Sequence, residues 1–449
     1  EIRAIRVAIN PVSKLSYENI VVTLSADLYL DVYVWNGGTW VENHNINSSP
    51  VRATYPTRHM RPFDIVYERK SGRAMLVYDV NINDATKDLA YRIWDGSNWS
   101  SEYYIDLTGL ASTNPDFSFV RLVSFPDNTS DNIAMIVLDE TNSDALVAIW
   151  DGSSWGNFYT VTTSAATGIY ETVSIAYETN SKHVLAAVGS GNKSVVAAEF
   201  TGSWAAAPTA TYKTGGPSTA RFVMLNSNPA SDSIMLTIID SIAGLYTMLW
   251  DGTSWGSPTT HDTAVDYSTT RCADFAWGPL GQNGLLIWGT TAGQINYNRY
   301  SAGAWGTASS VTMGSTIHPW FVMMGNPRNI ADDNTFLASI AEETVYKLGA
   351  VRATTTGAPV VIGNNTFTNN ISDATWDPSF LSYNLFGVPT EFTQIVEFTG
   401  KSNAESWDYI DLTLNGQWTV ANVNVTVQLY NYSLGRYAQS GEEGYLSYT

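Results

Sequence analysis

The sequence writes nearly the same six residues three times: Trp94-Asp95-Gly96-Ser97-Asn98-Trp99, Trp150-Asp151-Gly152-Ser153-Ser154-Trp155 and Trp250-Asp251-Gly252-Thr253-Ser254-Trp255. Trp35-Asn36-Gly37-Gly38-Thr39-Trp40 is a fourth copy, and Phe200-Thr201-Gly202-Ser203-Trp204 and Tyr300-Ser301-Ala302-Gly303-Ala304-Trp305 are degenerate ones. The interval between copies settles to about 50 residues, the mark of one supersecondary unit used again and again. Each copy is a short loop between two antiparallel strands, since Asp and Gly tolerate turn geometry that other residues resist. The two aromatics then meet at the hairpin end. An indole buries about 150–250 Å², worth on the order of 4–6 kcal/mol at about 25 cal/mol/Å² before entropy costs.

Four strands fit between successive copies. In the second, 63–68 alternates, Ser71-Gly72 turns, 74–78 is a continuous apolar run, 79–88 is a polar loop, 89–94 is a third strand and 99–107 a polar fourth. Short strands with turn signals at this spacing are an all-β pattern. A four-stranded unit of about 50 residues is one blade of a propeller. Seven such sets run over roughly 1–358, the last, from Phe321 to Val351, without its Trp pair. The expected fold is a seven-bladed β-propeller, or a six-bladed one if residues 1–45 belong elsewhere. After 358 the repeat stops. Residues 363–370 read as a loop, and 393–398, 407–414, 423–430 and 444–448 alternate as strands, predicting a C-terminal β-sandwich over 359–449.

Charge narrows the partners. The 449 residues carry 23 Lys and Arg against 42 Asp and Glu, a net charge of −19. Such a surface repels phosphate backbones and anionic bilayers, which excludes nucleic acid as partner, and no run of about 18 apolar residues predicts membrane insertion. A single cysteine, Cys272, rules out an internal disulfide and fits a bacterial or archaeal secreted protein. The start at Glu1, without Met or apolar leader, reads as a processed or trimmed chain. Sequons at Asn47, Asn98, Asn128, Asn192, Asn364, Asn370, Asn424 and Asn431 are candidate glycosylation sites, although Asn, Ser and Thr are abundant enough to produce them by chance.

No catalytic motif stands out. The histidines at 44, 59, 183, 261 and 318 are scattered and lack a metal-ligand neighbour at i+2 to i+5. Asp332-Asp333, Glu342-Glu343 and Glu442-Glu443 are adjacent, so in strands they point to opposite faces, which is wrong for paired acid and base work. One loop suits Ca²⁺, the only cofactor expected: Asp79, Asn81, Asn83, Asp84 and Asp88 offer oxygen ligands at near-alternate positions, against the plainer reading of a polar hairpin loop. Asp127, Asn128 and Asp131 form a weaker second set. Trp99, Trp155 and Trp255 offer flat faces for pyranose rings, repeated as multivalent binding requires, against the plainer reading of hairpin packing.

The period and the Trp-Asp-Gly-x-x-Trp hairpins resemble secreted or surface-displayed β-propeller proteins, and 423–432 with 440–445 resembles β-domains of archaeal and bacterial surface proteins. The resemblance implies display outside the cell. The expectation is a non-enzymatic extracellular structural protein, cell-surface, S-layer-associated or filamentous, whose partners are copies of itself or other surface proteins. One of its strand-like termini, above all the C-terminal one, would complete a sheet across subunits. The alternatives are a multivalent carbohydrate-binding lectin, with exposed aromatics at equivalent positions in every blade, and a glycan-active hydrolase, with carboxylates gathered at one mouth of the channel.

Overall fold

The computed structural model describes residues 2–12, 18–37, 39–51, 60–110, 115–166, 170–216, 218–266, 269–290, 294–312, 320–325, 335–342, 347–354, 360–366, 425–428, 430–431, 436–440 and 445–448. Among them there are strands and no helix. Chain contacts divide the molecule into residues 1–391 and 392–449.

Among the described residues, the first unit holds seven antiparallel sheets, six with four strands and one with five. In each, the chain meanders outward from an inner strand. The seven inner strands are Ile2–Ile9, Phe63–Tyr67, Phe117–Ser124, Val173–Tyr177, Ala220–Ser227, Ala273–Trp277 and Trp320–Gly325. Each packs beside the next in sequence, the arrangement of a β-propeller. The second strands are the most buried, because a neighbouring sheet covers each face. Ala74–Asp79, Ile133–Asp139 and Ile234–Asp240 are buried throughout, and their sequences are near-continuous apolar runs for that reason.

The core is a series of slabs between sheets. Ile20, Val22 and Leu24 of the first sheet meet Phe63, Leu76 and Tyr78 of the second. Equivalent slabs join the second to the third, third to fourth, fourth to fifth and fifth to sixth. On its other face the first sheet is open: Ile5, Val7 and Ile9 are 54%, 57% and 71% exposed.

The seventh sheet contains Val360–Thr366 as its fourth strand, so it runs past the expected boundary at 358 and into the stretch read as a loop. In the second unit, Val425–Gln428 pairs with the terminal Tyr445–Tyr448, and Tyr430–Asn431 with Arg436–Tyr437. The expected strands at 393–398 and 407–414 lie outside the described residues. Ile2–Ile9 likewise pairs with Asn19–Ser25 of its own chain.

Candidate functional site

The hairpin motif is built by its Asp and Gly. Asp151 Oδ1 accepts the backbone N–H groups of Ser153 and Ser154, each at 2.8 Å, and Asp95 and Asp251 repeat both bonds. Gly96, Gly152 and Gly252 hold φ of 97°, 96° and 98°, a region that side chains disfavour. The turn closed this way sets the two aromatics ring against ring. Centroids are 5.4 Å apart for Trp35–Trp40, 5.6 Å for Trp94–Trp99, 5.7 Å for Trp150–Trp155, 5.3 Å for Phe200–Trp204, and 5.1 Å for both Trp250–Trp255 and Tyr300–Trp305.

The two members of a pair do different things. The first of the full Trp pairs in sheets two, three and five is buried and latches its sheet to an earlier one. Trp94 Nε1 donates to Glu18, Trp150 Nε1 to Glu68 at 2.6 Å and Trp250 Nε1 to Glu178 at 2.6 Å. The second keeps part of its surface in solvent: Trp40 is 49% exposed, and Trp99, Trp155, Trp204, Trp255 and Trp305 are half-buried. Trp255 Nε1 donates to Pro208 O of the preceding sheet, whereas the Nε1 atoms of Trp99, Trp155 and Trp204 are buried without a hydrogen bond. Six sheets thus present an indole at one equivalent place, each backed by an aromatic ring.

Between the third and fourth sheets lies an open depression of about 760 Å³. Ser143, Thr162, Ser164, Ser190, Asn192 and Ser194 line it, with no charged side chain. Hydroxyls and amides both donate and accept, which matches the hydroxyls of a neutral sugar.

The expected calcium ligands are already engaged. Asp79 Oδ1 accepts from Phe117 N, Asp88 Oδ2 from Leu107 N at 2.6 Å, and Asp84 from Thr86 and Lys87. Asn81 and Asn83 are exposed in the loop between them. In the weaker set, Asp127 pairs with Lys182 at 2.6 Å, Asp131 accepts the N–H groups of Lys70 and Ser71, and Asn128 is exposed.

Among the described residues, Asn47 is the one sequon turned inward. It is 2% exposed, its Oδ1 accepts from Leu30 N at 2.7 Å and its Nδ2 donates to Ser49 O at 2.6 Å, so its amide is part of the core. Asn98, Asn128 and Asn192 are exposed. Asn364 and Asn431 fall in strands, and Asn370 and Asn424 lie outside the described residues.

Sequence reasoning missed what register brings together. His183 has no acidic neighbour at i+2 to i+5, yet its Nδ1 lies 3.0 Å from Glu199 and 3.5 Å from Glu178, the one His/Cys/Asp/Glu cluster of metal-binding size among the described residues. The strand register Leu185↔Glu199, two residues past His183, was the available signal. His261 packs between Trp288 and Trp305, and burial holds its imidazole down to about 4 despite the nearby Asp262.

No family model and no curated protein matches the sequence. Solved structures do. BP39L lectin from Burkholderia pseudomallei matches with a TM-score of 0.51 at 12% identity, over 81% of this chain and 100% of that one. AofleA from Arthrobotrys oligospora gives a TM-score of 0.39 at 14% identity, over 70% and 87% of the two chains. A fungal lectin described as a six-bladed β-propeller, from Aleuria aurantia, gives 0.38 at 10%, over 71% and 99%. At these identities the first match shows a shared fold. It also overturns the expectation of a structural surface-layer or filament subunit: the fold spanning most of this chain is that of a whole lectin.

Proposed function

We propose that the chain is a non-catalytic, multivalent carbohydrate-binding lectin that acts outside the cell. One observation carries this reading: six sheets hold an indole at the same place, partly open to solvent and buttressed from behind. A ring held rigidly with a free face stacks on the C–H face of a pyranose without losing side-chain freedom on binding. The hydroxyl-lined depression beside Asn192 supports it, as does the fold shared with BP39L lectin. The ligands that fit are neutral glycans, and the exposed sequons Asn98, Asn128 and Asn192 suit an extracellular surface.

We further propose a propeller of seven blades, closed by the seventh sheet against the open face that Ile5, Val7 and Ile9 present. The residues after 391 then form a separate β-domain.

The test is a glycan array that includes neutral, fucosylated and acidic glycans, run on the wild type and on Trp40→Ala. Trp40 is the most exposed of the six indoles, so its loss should leave the melting temperature nearly unchanged while weakening retention on the glycans the wild type holds. A wild type that holds no glycan, or a variant that binds as well as the wild type, counts against the platform.

A further inference from the structure

The inner strands carry a second feature that sugar binding at the rim does not use. Arg6 of the first sheet, Arg61 at the second, Arg121 of the third and Arg271 at the sixth turn toward one another around Glu171 at the fourth. Glu171 Oε1 lies 2.7 Å from Arg61 Nη2 and 3.5 Å from Arg121 Nη1. Asp64 takes Arg6 Nε at 2.6 Å and Arg61 Nη1 at 3.4 Å, and Asp274 takes Arg271 Nη2 at 2.7 Å. Among the described residues, four guanidiniums thus face three carboxylates, an excess of one positive charge in this group within a chain whose net charge is −19.

Two buried donors in this group make no hydrogen bond: Arg271 Nε, and Arg121 Nη1, whose contact with Glu171 is the long one of 3.5 Å. Burial drives the Arg121 guanidinium down to about 10, with Glu171 opposing it and the positive charges of Arg61, Arg271 and Arg6 adding to it. Glu171 is buried as well, yet Arg121 and Arg61 hold its carboxyl down to about 2, so it is ionised and already counted. The inner strands of the first, third, fifth and seventh sheets contain no acidic residue that would supply the missing charge. The side chains of Arg6, Arg121 and Arg271 keep 34%, 19% and 15% of their surface exposed, so part of each guanidinium-bearing chain meets solvent.

We propose that the propeller axis is a binding site for a small oxyanion, received by Arg121 and Arg271 with Arg6 and Arg61 beside them. A phosphate, sulfate or carboxylate gives both of these donors a hydrogen-bond acceptor and cancels the excess charge at once. Guanidinium groups are the side chains best shaped for such oxygens. This site is independent of the indole platforms.

Thermal unfolding at constant ionic strength, with sodium phosphate or sodium acetate replacing sodium chloride, reads the site out. The expected result is a saturable rise in melting temperature of about 2 °C with an oxyanion, beyond that in chloride. Arg121→Gln should abolish the rise and weaken phosphate binding in equilibrium dialysis about tenfold or more, with glycan retention unchanged. Glucuronate used in place of acetate distinguishes a sugar carboxylate from a free oxyanion; tighter binding of glucuronate assigns the site to acidic glycans. If phosphate, acetate, glucuronate and chloride act alike on the wild type, or Arg121→Gln still binds phosphate as the wild type does, the site does not exist. Should Arg121→Gln fail to fold, dialysis of the wild type against labelled phosphate decides alone: about one competable equivalent per chain supports the site, and none overturns it.

Discussion

At the scale of single residues, the molecule is held by buried charges that each serve several donors. Glu68 is 1% exposed and receives Trp150 Nε1, Ser71 Oγ and both ends of the Arg73 fork. Replacing it with Gln keeps the shape and removes the charge, so Glu68→Gln should cost about 1.5–3 kcal/mol in urea unfolding, the range for a hydrogen bond to an ionised group. His261 gives a pH signature. Its folded value of about 4 lies below the ordinary 6.5, so the unfolded chain binds the extra proton between those values. Its contribution is therefore intact above pH 6.5 and is lost as pH falls toward 4, up to about 3 kcal/mol in all. His261→Gln should flatten that part of the stability profile; an identical slope in variant and wild type would show that His261 does not titrate this way.

At the scale of elements, the Trp hairpin joins two tasks. Its first indole ties sheet to sheet and its second lies half-open on top. Trp155 packs on Trp150 at 5.7 Å, so Trp155→Ala should destabilise by about 3–5 kcal/mol if the packed face dominates, as measured by denaturant midpoint and slope. Trp40→Ala, at a more exposed position, should cost much less. The hairpins and strand sets were legible because Asp-Gly turns and alternation are local. The latches were not. Glu68 and Glu178 each follow an inner-strand Tyr, and only the packing of the next sheet in the chain shows that an indole N–H reaches them. The same packing shows a longer repeat. Asp131 caps the turn at Lys70 and Ser71, and Asp232 caps the turn at Asn180 and Ser181. Ser124 and Ser227 donate to Tyr67 O and Tyr177 O in the same relation, each at 2.6 Å. Sheets two and three therefore recur as sheets four and five, a two-sheet unit that the Trp spacing alone hides.

At the scale of the whole molecule, repetition explains both the fold and the proposed activity. Each sheet buries its apolar faces only against its neighbours, so stability accrues slab by slab and the first sheet's open face marks where the series needs its last partner. In a chain of −19 net charge, the inner strands are the exception, gathering arginines around Asp64, Glu171 and Asp274. Repetition also sets the valency. On the proposed function, six equivalent indoles would give several sugar sites on one chain, each weak and gaining strength together on a surface dense in glycan. The direct test is the number of sites: equilibrium dialysis of the purified chain against a monosaccharide taken from the glycan it retains best. More than one equivalent bound per chain, falling when Trp40 is replaced by Ala, is the predicted result; no binding, or a single equivalent unaffected by that substitution, would contradict it.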